Sequence, residues 1–123
     1  MTQDELKART KEFALRVIKL VRALPKTTEG RVFAGQLIRS GTSVAANYRA
    51  ACRGRSRAEF AAKIGTVLEE ADESALWLEL IVEAGLLAPA RCRLLLEEAG
   101  ELVAIFAATR KSALAKANLK SEI

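Results

Sequence analysis

What this chain can fold into is set first by where it cannot be helical. Two prolines and seven glycines are all that break 123 residues. The breaks that matter fall at Pro25, at Arg53-Gly54-Arg55, and across Gly85 to Pro89. Proline has no amide hydrogen and disfavours the helical conformation in the residue before it. Between the breaks Ala, Leu, Glu, Lys and Arg dominate, side chains that lose little rotamer freedom in a helix. No segment alternates in the manner of a strand. Four helices are expected, at about residues 3–24, 29–51, 57–84 and 89–116. Their links are short, so successive helices should run in opposite directions. The chain reads as one all-α domain over residues 1–123, an antiparallel up-down-up-down four-helix bundle with a single modest core.

Periodicity assigns the faces. In the first helix Leu6, Phe13, Val17, Leu20 and Leu24 share a stripe that Ala14, Leu15, Ile18 and Val21 widen. The second, capped by Thr27 or Thr28, carries Phe33, Leu37, Ile38, Val44, Ala45 and Tyr48 on one side. Opposite them runs a polar ridge of Gln36, Ser40, Ser43 and Asn47, and Gly35 and Gly41 point to close helix packing. Ser56-Arg57-Ala58-Glu59 fits a reciprocal capping box that opens the third helix. There Phe60, Ile64, Val67, Leu68, Ala71, Ala75, Leu78 and Val82 form the core stripe. Gly85 suits the position past that helix, and Pro89 the first turn of the next. Leu95, Leu96, Ala99, Leu102, Val103, Phe106 and Leu114 line the fourth helix, and the segment from Ala115 onward is expected to fray.

Composition excludes several classes of function. There is no histidine, which removes the commonest general base and metal ligand. The carboxylates Glu69, Glu70, Asp72 and Glu73 lie off the core stripe, where a salt-bridged or solvated face outweighs a metal site. Ser56 is explained as a cap, and Ser43 has no base beside it. Neighbouring arginines would favour a thiolate at Cys52, yet a small buried residue is the preferred reading. No phosphate loop is present. The expectation is therefore no enzyme, no catalytic residues, no cofactor, no metal and no small-molecule substrate. No apolar run approaches the ~20 residues of a membrane span, and the opening MTQDELKART lacks a hydrophobic signal core, so a cytoplasmic location is expected.

The net charge of +5 is unevenly spread. Residues 1–26 carry seven Lys/Arg against three acids, and residues 27–57 six against one. Residues 58–88 invert this, with one Lys against seven acids. Such segregation either steers a polyanion to one face or pairs helices of opposite sign, and both readings stand at this point. Arg49, Arg53, Arg55 and Arg57 cluster at the second connection, where guanidinium groups can grip phosphates or pair with acids of the third helix. Tyr48 falls on the apolar stripe and is assigned to the core rather than to base stacking.

These stretches resemble a known family. Ser-Val-Ala-Ala-Asn-Tyr-Arg (43–49), Arg53-Gly54-Arg55-Ser56, Glu59-Phe60 with Lys63, Glu-Glu-Ala-Asp-Glu-Ser (69–74) and Trp77-Leu78-Glu79-Leu80 are similar to the bacterial four-helix bundle proteins encoded by intervening sequences of large-subunit ribosomal RNA genes. Gln36-Leu37-Ile38-Arg39-Ser40 fits the same pattern, and Ala50 departs from it where many relatives carry an acid. The resemblance covers about residues 25–115. It implies an antiparallel four-helix bundle that assembles into a ring-like homopentamer, and it does not imply an enzyme. It is also similar to accessory variability proteins of retroelements, basic pentamers that engage nucleic acid and a reverse transcriptase. Matched to this chain, the family's polar centre comprises Arg39, Asn47, Arg49, Arg53 and Arg55. With Arg57 these make the candidate nucleic-acid-binding set, for RNA or a nucleoprotein; the competing reading is a protein-interaction scaffold.

Assembly is also expected from the residues themselves. Leu76, Trp77, Leu80 and Ile81 lie off the core stripe of the third helix, and Leu15 and Ile18 exceed the inward face of the first. Large exposed apolar patches are unusual on soluble monomers, so these six form the candidate homo-oligomer interface, with Trp77 as anchor. Periodicity does not count subunits; the pentamer comes from the resemblance alone.

Overall fold

The computed structural model describes residues 1–122, with side chains through Asn118. Four helices account for most of it: α1 Gln3–Val21, α2 Thr28–Cys52, α3 Arg57–Glu83 and α4 Pro89–Glu122, with no strand among the described residues. Each of α1/α2, α2/α3 and α3/α4 packs extensively, whereas α1 touches α4 only lightly. No helix among the described residues is long and apolar enough to cross a membrane.

The ends of the helices follow local chemistry. Thr2 caps α1: its hydroxyl accepts from the Glu5 amide at 3.1 Å, and the Glu5 carboxylate accepts from the Thr2 amide at 3.2 Å. That capping box is legible as Thr-x-x-Glu but was not part of the expectation. The α1 helix stops at Val21 rather than Leu24, because Ala23 and Leu24, the last two residues before Pro25, tighten into i→i+3 turns. Thr27 caps α2 by accepting from the Gly30 amide, and a Cβ on Gly30 would meet the Pro25 carbonyl oxygen. Ser56 caps α3 as expected, accepting from the Glu59 amide at 3.0 Å, but the Glu59 carboxylate does not return the bond. At the other end Gly85 adopts φ +75°, Leu86 N–H donates to the Ile81 carbonyl and Gly85 N–H to that of Val82, the paired bonds of a Schellman termination. The α4 helix continues to Glu122, beyond the Lys116 expected from patterning, so residues 115–122 of the stretch expected to fray are helical, and Ile123 lies outside the described residues.

The core gathers Phe13, Val17, Leu37, Val44, Tyr48, Ile64, Val67, Leu78, Leu102 and Phe106, all essentially without solvent exposure. Tyr48 reaches across it to Phe106, ring centroids 5.4 Å apart. Burial, then the adjoining Cys52, pushes the Tyr48 phenol above its ordinary value, which agrees with its assignment to the core. The polar ridge of α2 is largely covered: Gln36, Ser43 and Asn47 are half-buried, and Ser40, fully buried, meets Ser74 of α3. Ser74 donates to Ser40 Oγ at 2.9 Å and Ser40 to the Leu37 carbonyl, so small hydroxyls let the helices approach while remaining hydrogen-bonded. Ile38, placed with the core residues, is instead exposed. The two glycines separate as well. A Cβ on Gly41 would lie 2.8 Å from Val17 Cγ2, so this is a true close approach; Gly35 has nothing within 4 Å.

Candidate nucleic-acid interface

The structure divides the six residues of the candidate binding set among different surroundings. Arg39 is the clearest departure. Its guanidinium donates to Glu73 at 2.8 Å and to Glu70 at 3.3 Å, binding α2 to α3. Hydrogen bonds to Glu73 and then Glu70 hold Arg39 above its ordinary value. Its charge is thus locally neutralised by acids of the third helix, a pairing expected instead for Arg49, Arg53, Arg55 and Arg57. Burial pushes the Glu70 carboxyl up, and Arg39 offsets this only in part. Asn47 is half-buried and donates from Nδ2 to the Ser43 carbonyl at 2.9 Å, within its own helix.

The other four arginines are exposed, and among the described residues none makes an ion pair. Arg55 and Arg57 flank the Ser56 cap and line a groove of about 530 Å³ between the start of α3 and the end of α4. Its other lining residues include Phe60, Thr109, Ser112, Ala113 and Lys116, so three cations and three hydroxyl-bearing residues surround one aromatic ring, with no carboxylate in the lining among the described residues. Arg53 ends α2 immediately beside it. The α3 N-terminus adds the positive end of a helix dipole to the same place. The chemistry suits an anionic, hydrogen-bond-accepting ligand of phosphate character.

Arg49 points elsewhere. It shares a second groove, of about 580 Å³, with Lys7 and Lys11 across α1 and α2, floored by alanines. Sequence reasoning missed Lys116, Ser112 and Thr109, although their spacing of three and four residues places them on one face of α4. It also missed the Lys7–Lys11 pair, whose alignment with Arg49 needs the packed helices.

The candidate interface residues divide too. Leu15 and Leu76 are 53% and 47% exposed, while Ile18 and Leu80 are half-buried. Trp77 is half-buried against Phe33 of its own chain, ring centroids 5.8 Å apart. Ile81 was misplaced: it is fully buried in the core of a single chain, continuing the three- and four-residue spacing of Ile64, Val67, Ala71, Ser74 and Leu78. Elsewhere Arg9 closes the light α1/α4 seam through a two-pronged bond to Glu98, at 2.7 and 2.8 Å, and a third contact to Glu101. Hydrogen bonding to Arg9 holds the Glu98 carboxyl below its ordinary value. Cys92 is buried, and burial pushes its thiol up. No group of three or more Cys, Asp or Glu side chains among the described residues is arranged to hold a metal ion.

Comparison with known proteins places this arrangement. No curated protein matches the chain. A crystal structure from Bacteroides thetaiotaomicron, of a protein with unknown function from the S23 ribosomal protein family, is similar at 31% identity and a TM-score of 0.80. The likeness covers 86% of this chain and 98% of that one. The family model of the 23S rRNA-intervening sequence protein matches residues 3–108, which include the first three helices, the first part of α4 and every arginine of the second connection. By the extent of that match, the chain belongs to the 23S rRNA-intervening sequence protein family.

Proposed function

We propose that the protein is a non-enzymatic, cytoplasmic, oligomeric four-helix bundle that binds RNA or a nucleoprotein through the groove of Arg55, Arg57 and Lys116. One observation carries this reading: three cations and three hydroxyl-bearing residues line the groove with no carboxylate among the described residues, while Arg39 is already occupied by acids. Guanidinium and hydroxyl donors around an aromatic edge match a sugar-phosphate backbone with an unstacked base. The bundle is read as antiparallel, up-down-up-down. In support, Phe33 pairs with Trp77 and Ser40 with Ser74, so partners run in opposite order along α2 and α3. Assembly into a homo-oligomer, a pentamer by family resemblance, is supported by the exposed Leu15 and Leu76.

Arg39 with Glu70 and Glu73 also favours a second reading, a protein-interaction scaffold whose charges serve assembly and docking. Titration of labelled structured RNA at two salt concentrations separates the two. Phosphate contacts release counterions, so affinity should fall steeply as salt rises. Absence of binding at low salt overturns the RNA reading and leaves the scaffold.

A further inference from the structure

Two faces of the chain carry matching patterns of opposite charge. On the outside of α3, Glu69 and Asp72 are followed by Leu76 and then by Glu79 and Glu83, all exposed and on one helical stripe. Across α1 and α2, the groove of Lys7, Lys11 and Arg49 comes first, Leu15 and Ile18 follow along α1, and Arg22 closes the row. Each face therefore reads charge, apolar, charge, with the signs reversed. Their lengths agree as well. At about 1.5 Å per residue, Glu69 to Glu83 spans roughly 21 Å and Lys7 to Arg22 roughly 22 Å. Among the described residues none of these charges has an ionic partner in its own chain. The groove is floored by Ala8, Ala14, Ala45 and Ala46, which leave room for another helix to come close.

We propose that the α1–α2 face receives the acidic outer stripe of α3 from a second copy of this chain. The inference rests on the oligomeric reading above and adds the faces that meet. Leu76 enters between the two cationic ends, against Leu15 and Ile18, so apolar burial supplies affinity while the flanking charges set register. Because the two faces differ, the contact is head-to-tail and generates a ring where its rotation closes. It also divides the basic residues: Lys7, Lys11 and Arg49 serve assembly, while Arg55, Arg57 and Lys116 stay outside it.

The test reads solution mass by light scattering, with helix content followed by circular dichroism. Asp72→Lys/Glu79→Lys and, separately, Lys11→Glu/Arg22→Glu should each bring the mass down toward the 13.3 kDa of one chain at unchanged helix content. The variant combining all four substitutions places opposite charges on the same two faces again, and should return to the wild-type mass. If both double variants keep the wild-type oligomer, or the fourfold variant fails to reassemble, the assignment of faces is overturned while the oligomeric reading stands. A wild-type protein of 13.3 kDa overturns both.

Discussion

Single residues decide more here than their size indicates, and glycine shows it best. Gly41 sits against the stiff, fully buried Val17, so a methyl there must displace a side chain with no free rotamer. Gly41→Ala should lower stability by about 1–2 kcal/mol, overpacking outweighing the gain in helix propensity. Gly35 meets nothing, and Gly35→Ala should raise stability by about 0.5–1 kcal/mol. Thermal melts of the two variants check the pair, and equal shifts would contradict it. From the sequence the two glycines were indistinguishable, because both lie in the interior of one helix. Only the position of α1 separates them. Ser40 teaches the same lesson in reverse: its polarity argues for solvent, yet its small size and the hydroxyl of Ser74 let it be buried.

At the scale of elements, the seams are held by different chemistry. The α1/α4 seam is light and depends on Arg9 with Glu98 and Glu101. Since the folded Glu98 carboxyl lies below its ordinary value, its contribution is present above the unfolded value near about 4.3 and is lost as pH falls through the folded one. Glu98→Gln should therefore cost about 1–2 kcal/mol at neutral pH, with the difference from wild type vanishing in acid. The α2/α3 seam carries the opposite sign. Burial raises Glu70, so its stabilising contribution belongs to the protonated form and fades as pH rises through the folded value. Glu70→Gln should leave neutral-pH stability unchanged or higher. Denaturant titrations at pH 7 and pH 3 measure both, and equal losses for the two variants at pH 7 would contradict this account. The four helices themselves were legible because breakers, caps and period agree; Pro25, Ser56 and Gly85 act where their chemistry says they should. Ile81 was not, since Ile81 and Val82 lie three and four residues past Leu78 and the period alone does not decide which of two apolar neighbours turns fully inward.

For the whole molecule, charge is the organising quantity. Acids concentrate on α3 and bases on α1 and α2, and packing resolves this excess into a neutralised seam at Arg39, a groove at Arg49 and, among the described residues, an unpaired groove at Arg55 and Arg57. The cluster itself was legible as four arginines in nine residues. Its division was not, because one helical connection sends neighbouring side chains to different faces. The central claim is that RNA meets the Arg55–Arg57–Lys116 groove and not the Arg39 seam. It is tested most directly by RNA binding isotherms of Arg55→Ala/Arg57→Ala/Lys116→Ala beside Arg39→Ala, at fixed low salt. The triple variant should lose about tenfold or more in affinity and flatten the salt dependence, whereas Arg39→Ala should bind as the wild type does. Wild-type affinity in the triple variant, or a loss confined to Arg39→Ala, would contradict the account.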